Sequence, residues 1–403
     1  MLNSIQLFGM VLLGGLAAGE LARRVAALPR TTGYVLFGLL TGQSGLGWID
    51  PLHIESAQLF IDLALGLILF ELGYLVPRTP RQVGLKRLAA GTLVALSTGL
   101  GVLLLLLYWG FTAGDALFAA ALLLATSPAI TIATCSDVGA RGEKSGLLYT
   151  LVAINGCIAF AAIALMTPFL DQTIQAGPLL RLAEALGSIA GSLGIGVGGA
   201  SLVLLGARRL EKQPEHQHLL ILGGIVFGVG TAIYLDTSVF LPMLIFGFLV
   251  RALDREQKVV AIRIASDARV FLVITFVLAG AALDIAYLRD YWLEALGIAL
   301  CRFLAQWLPC SAAARQIGLT QREAAFMGIG LQPMSSVALV LLANTQMLYA
   351  GLDPQLTGIL LAAILLMQLF GPLTTQTAIK GFGEASRLMP PPAATAPQGG
   401  TPS

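Results

Sequence analysis

The sequence predicts an all-α polytopic membrane protein of about thirteen transmembrane helices, arranged as inverted repeats around two crossed discontinuous helices. Three observations carry that prediction. Of 403 residues, 57% are hydrophobic and 11% charged, with a mean hydropathy of +0.84, which lies outside the range of water-soluble domains. Thirteen apolar stretches have the length a helix needs to cross a hydrocarbon core, roughly 20 residues for about 30 Å. Finally, 21 of the 24 Lys and Arg residues fall in alternate loops between those stretches.

The first stretch, 4–22, has no basic residue before it and Arg23-Arg24 after it, as expected of an anchored helix rather than a cleaved signal. The second and third, 31–48 and 56–76, are followed by Asp50 and by the basic loop containing Arg78, Arg81, Lys86 and Arg87. Polar residues then recur at midpoints: Ser97-Thr98 in 88–109, Thr126-Ser127-Pro128 in 116–136, and Asn155-Gly156 in 146–168. The seventh, 186–206, carries Gly187-x-x-x-Gly191 and Gly194-x-x-x-Gly198, spacings that let helix backbones approach closely. The eighth and tenth are 219–235 and 270–286, and between them 238–251 is short enough to be tilted or partly re-entrant. Midpoint polar groups return as Arg302 in 291–313, Gln332-Pro333-Met334-Ser335-Ser336 in 324–345 and Gln368 in 357–379. Basic residues after odd-numbered helices place the N-terminus outside and the C-terminus in the cytoplasm of a cell (inner) membrane. The net charge of +2 follows from that topology and implies no nucleic-acid partner. Residues 381–403, rich in Pro, Ala, Gly and Thr, are expected to form a disordered tail with no soluble domain after it.

Polar groups at bilayer depth are costly, so they face a protein interior or a water-filled path and mark what is moved. The chain therefore reads as a transporter. Helices 5 and 12 carry their breaks seven helices apart, and an odd offset reverses the direction of crossing. Helices 1–6 and 8–13 then form inverted repeats with helix 7 as connector, pairing Ser97-Thr98 with Arg302 and Asn155 with Gln368. Proline lacks an N–H and clashes with the preceding turn, so Pro128 and Pro333 open the backbone where Thr126, Ser127, Ser335 and Ser336 can satisfy the freed groups. Asp62 and Glu71 are the candidates for proton coupling. Nine residues at about 100° each put them on opposite faces of helix 3, so they cannot form a paired site. Glu20 is expected to pair with Arg23 or Arg24. Cys135, Cys157, Cys301 and Cys310 read as small apolar residues, and His53, His216 and His218 are expected in loops. No nucleophile, acid–base pair or metal-ligand set is evident, so neither an enzyme nor a cofactor or metal site is expected.

The order of these motifs resembles the monovalent cation:proton antiporters of the sodium/proton exchanger superfamily. Leu28-Pro29-Arg30-Thr31-Thr32-Gly33-Tyr34 through Gly38 and Gly42 is similar to the family's early "P-x-x-x-G-Y-x-x-x-G-x-x-x-G" helix. Leu69-Phe70-Glu71-Leu72-Gly73 resembles the helix after it, Thr126-Ser127-Pro128 its unwound "T-[SD]-P" crossing, and Met334-Ser335-Ser336-Val337-Ala338 the position of its second crossing. The resemblance implies one unit over residues 1–380: a dimerisation scaffold of helices 1–3 and 8–10, a mobile core of helices 4–6 and 11–13, and helix 7 as linker. It implies a homodimer in a lipid bilayer whose core slides against the scaffold, carrying sodium, potassium or protons at a midplane site. That site would comprise Thr126, Ser127, Pro128, Asn155, Gly156, Arg302, Ser335, Ser336 and Gln368.

This chain departs from the pattern at the chemistry. Where the resemblance leads one to expect a carboxylate on helix 6, the pair is Asn155-Gly156, and the second-crossing Glu is replaced within Ser335-Ser336. The basic residue of helix 11 is kept as Arg302, which stays charged at physiological pH. Two other readings follow from that departure: an anion or organic-acid transporter using Arg302 and half-helix N-termini, and a transport-inactive membrane regulator.

Overall fold

The computed structural model describes residues 4–26, 28–77, 84–140, 142–170, 177–209, 214–254, 264–334, 338–339, 341–342 and 352–385. Ser335 and Ser336 lie outside the described residues, as does most of the predicted tail. Among the described residues every named element is a helix. Helices α1 (Ser4–Ala26), α2 (Arg30–Thr41), α3 (Pro51–Ser56), α4 (Gln58–Leu75) and α5 (Leu85–Tyr108) lead to a broken pair, α6 (Ala113–Leu124) and α7 (Pro128–Asp137). Then come α8 (Glu143–Leu170), α9 (Pro178–Arg209), α10 (Pro214–Tyr234), α11 (Phe240–Leu253), α12 (Ile264–Ala281) and α13 (Ile285–Asp290). The last are α14 (Trp292–Ala312), α15 (Ala314–Ile317), α16 (Gln321–Gly330) and α17 (Pro354–Phe382). Eight described helices, α1, α4, α5, α8, α9, α10, α14 and α17, are long and apolar enough to cross a bilayer.

Several boundaries differ from expectation for local reasons. The stretch 31–48 ends as a helix at Thr41, whose hydroxyl bonds back to the Phe37 carbonyl at 2.8 Å. The chain then turns through Gly47, at φ 66°, and Asp50 caps α3 with Pro51 in its first turn. The stretch 270–286 is two helices, because Asp284 accepts from the Ala286 N–H and starts α13 afresh. The histidines expected in loops are helical: His53 is in α3, and His216 and His218 open α10.

The breaks come from capping. Ser127 accepts from the Ile130 N–H and Pro128 occupies the first position of α7, so α6 cannot continue into it. Thr320 and Glu323 start α16 with a capping box, and Asp353 with Pro354 starts α17. Glu323 also pairs with Lys144 Nζ at 2.5 Å.

Close backbone contact is reciprocal, glycine for glycine, where α2 meets α12 and α4 meets α11. A methyl group on Gly38 would strike the Val277 carbonyl, and one on Gly280 the Val35 carbonyl, so α2 and α12 meet through reciprocal glycines. Gly73 and Gly247 do the same for α4 and α11, against the Leu244 and Phe70 carbonyls. One buried core runs through α2, α4, α8, α10, α11 and α12, and a second gathers α5, α6, α14 and α17. The broken helices lie where these two bodies meet, α7 touching α2 and α4 on one side and α8 and α17 on the other.

Candidate functional site

Between α6 and α7 the backbone is extended at Ala125–Ser127, and it meets the non-helical segment Gln332–Met334 that follows α16. Thr126 and Met334 form an antiparallel bridge, and the Ser127 N–H donates to the Pro333 carbonyl at 2.9 Å. Two interrupted helices therefore cross, each supplying main-chain groups the other lacks.

Side chains complete the crossing. The Thr126 hydroxyl donates to the Leu331 carbonyl at 3.3 Å and accepts from Asn155 Nδ2 at 3.1 Å. Thr126, Ser127 and Asn155 are all buried. Arg302, fully buried on α14, donates through Nη1 to the Gln332 carbonyl at 3.1 Å and to Met367 Sδ at 2.9 Å. Its Nη2 reaches the Ala125 carbonyl at 3.4 Å. Ala125 and Gln332 follow the C-terminal ends of α6 and α16, where the helix dipole concentrates negative charge, so the guanidinium is the counter-charge to two half-helices. The α5 partner expected from the repeat is close by, since Ser97 Oγ donates to the Ala305 carbonyl at 2.5 Å.

Gln306, one turn beyond Arg302, was not anticipated; its Oε1 accepts from Gln332 Nε2 at 2.8 Å. A lone glutamine four residues from a buried arginine in an apolar helix was the available signal. Gln368 is buried on α17, and among the described residues neither its amide atoms nor Asn155 Oδ1 has a hydrogen-bond partner. Gly156 faces α11: a side chain there would collide with the ring of Phe240, which is buried and stacks on Phe160 with centroids 4.1 Å apart. Nothing in the one-dimensional pattern marks Phe240.

Two cavities flank α7. One, of about 130 Å³, is lined by Gln58, Asp62, Leu65 and Ile68 of α4, Pro128 and Ala129 of α7, and Thr275 and Ala279 of α12. The other, of about 330 Å³, is lined by Glu71 of α4, Ile132, Ala133, Ser136 and Asp137 of α7, Leu272 and Val273 of α12, and Glu20, Arg30 and Tyr34. α4 and α7 give residues nearer their N-termini to the first cavity and residues further along to the second, so the two cavities are offset along α7. Asp62 and Glu71 are thus separated as their spacing predicts, by nine residues or roughly 14 Å of helix rise. Asp62 accepts from Gln58 Nε2 at 3.0 Å. Glu20 pairs with Arg23 and Arg24, as expected, and also with Arg30, which in turn holds Asp137 at 3.0 Å across 107 residues of sequence.

A bundle of apolar helices with two discontinuous members crossing between offset cavities defines a multi-pass secondary transporter of the membrane. The chain belongs to the sodium/hydrogen exchanger family, whose transmembrane model matches residues 9–381. It is similar to the Na(+)/H(+)-K(+) antiporter GerN of Bacillus cereus, 23% identical over 394 residues that cover 94% of this chain and 96% of that one. Its fold is that of the sodium proton antiporter MjNhaP1 from Methanocaldococcus jannaschii, solved at pH 8, with a TM-score of 0.71 at 19% identity, covering 94% of this chain and 99% of that one.

Proposed function

We propose that this protein exchanges a monovalent cation, sodium or potassium, for protons by alternating access of the elevator type. The observation that carries the reading is the pair of cavities at opposite ends of α7, each lying between the helices bearing the crossing and the α2–α4–α12 group. A shift of the crossing helices past that group would close one cavity as it opens the other. In this reading the core comprises α5–α8 with α14, α16 and α17. The scaffold comprises α1–α4 and α10–α12, with α9 as linker. Thr126, Ser127, Pro128, Asn155 and Gln368 shape the crossing. The protein works as a homodimer in the cell membrane, with its basic loops in the cytoplasm; the dimer rests on family resemblance and the orientation on the charge asymmetry.

Arg302 favours this reading over anion transport. Both its terminal nitrogens are engaged by main-chain carbonyls or Met367, and it lines neither cavity. The test is flux by purified protein in proteoliposomes carrying a pH-sensitive dye. Proton movement on adding sodium or potassium is the expected result. A response to anions alone overturns the proposal, and silence to every ion leaves the regulator reading.

A further inference from the structure

Helix α2 begins without a cap of its own. Pro29 stands at its N-cap position and has no side-chain group that could accept a hydrogen bond, so the first N–H of the helix, that of Arg30, finds no acceptor there. The acceptor comes from a distant element. Asp137 Oδ2 takes the Arg30 N–H at 3.3 Å, and Asp137 Oδ1 takes Arg30 Nη1 at 3.0 Å. Asp137 is the last residue of α7, an end where the helix dipole concentrates negative charge and disfavours a carboxylate; the start of α2 favours one for the same reason. The placement of this acid is therefore explained by α2 and not by its own helix.

The contact spans the two bodies. Arg30 belongs to the scaffold and Asp137 to the core, and both line the larger cavity together with Glu20 and Ser136. Neighbouring ion pairs stay within one body: Glu20 joins α1 to itself and to α2, while Arg87 with Glu143 and Lys144 with Glu323 join core helices to each other. At the smaller cavity the acid is tied along its own helix, Asp62 to Gln58, both on α4. The ion pair between scaffold and core thus lies at the end of α7 that borders the larger cavity. It is also releasable. Arg30 Nη2 reaches Glu20 Oε2 at 3.3 Å, so the guanidinium keeps a carboxylate when Asp137 leaves, and both partners are exposed enough for cavity water to replace the bond.

We infer that the Arg30–Asp137 pair is a latch between scaffold and core, which holds α7 in the arrangement that forms the larger cavity and opens once in each transport cycle. This rests on the elevator reading above. Sliding of α7 past α2 carries Asp137 away from the guanidinium and from the N–H at the same time, so the latch and the cap of α2 are lost together. Because the Asp62 bond at the smaller cavity lies within α4 and is not stretched by that motion, the latch biases the equilibrium toward the larger-cavity arrangement. Arg30 and Asp137 are positioning residues: they set the populations of the two arrangements.

The test introduces Ser136→Cys, which lines the larger cavity, or Ala129→Cys, which lines the smaller one, into the full-length protein and follows the rate of maleimide labelling at each position by mass spectrometry. Adding Asp137→Ala should slow labelling at position 136 severalfold and speed it severalfold at position 129. Arg30→Gln, which spares the backbone bond, should shift both rates the same way by less, and combining it with Asp137→Ala should add nothing. Rates unchanged at both positions overturn the proposal, as do rates that rise together, the mark of loosened packing. A second measurement bridges Arg30→Cys/Asp137→Cys with a bifunctional methanethiosulfonate. Cation-driven proton movement should fall at least tenfold in bridged protein and return when a reductant cleaves the bridge. Undiminished movement in fully bridged protein overturns the latch and leaves the exchange reading standing. Opposite shifts in labelling in protein that moves no protons with any cation would support the latch while refuting exchange.

Discussion

Gly156→Ala tests whether the missing carboxylate was replaced by packing rather than merely lost. The added Cβ would lie 2.7 Å from Phe240 Cε1 and closer still to Cζ, whereas carbon atoms pack comfortably at about 3.5–4.0 Å. The ring must therefore withdraw by about 1 Å. It cannot do so freely, because it is 2% exposed and its other face is stacked on Phe160. Overpacking of this kind costs about 1–3 kcal/mol. The assay is thermal unfolding in detergent of Gly156→Ala, Phe240→Leu and the double variant, read as a double-mutant cycle. Gly156→Ala should lower stability by that amount, and trimming Phe240 should recover most of the loss specific to the new methyl group. Wild-type stability for Gly156→Ala, or strict additivity of the two changes, would refute the packing argument. The same geometry means that Gly156→Asp alone is a poor test of a restored cation site; Phe240 must be shortened with it.

Arg302→Ala would leave the Gln332 and Ala125 carbonyls without their charged donor, and each such bond is worth about 1.5–3 kcal/mol; the expected outcome is loss of monodisperse protein on size exclusion rather than a change in ion affinity. Thr126→Val removes the partner of Asn155 Nδ2 and should cost about 1–3 kcal/mol by thermal unfolding, with much of it recovered when Asn155 is made leucine. Thr320→Ala removes one half of the α16 capping box and should destabilise by about 1 kcal/mol in the same assay. Glu323 is held at about 2, against an ordinary value of 4.5, by Lys144 and by Thr320. Its folded value is the lower one, so its contribution is complete above about 4.5 and is lost as pH falls toward 2. The stability deficit of Glu323→Gln should accordingly shrink over that interval, as melting curves at stepped pH will show.

The solvent, the helices and the places where two of them break were legible in the order of residues. Apolar runs of bilayer length leave the backbone no alternative to helix, and Ser127-Pro128 stops a helix through chemistry confined to a few consecutive residues. Even the separation of Asp62 from Glu71 followed from helix periodicity, because both lie on one rigid element. Helix ends set by a cap within an apolar run, as at Asp284, were harder to read, since hydropathy continues across them. Contacts between elements distant along the chain were not legible there and came from folding. Arg302 read alone is a charge that could attract an anion; the carbonyls of Ala125 and Gln332 make it the counter-charge of two helix ends. Gly156 read alone is an absent carboxylate, and Phe240, 84 residues away, makes it a filled position. Arg30 meets Asp137, and Glu71 comes to the same cavity, through the packing of α2, α4 and α7. Periodicity and capping are local and leave a trace in order and spacing, whereas the environment of a buried charge is the sum of groups that folding brings together.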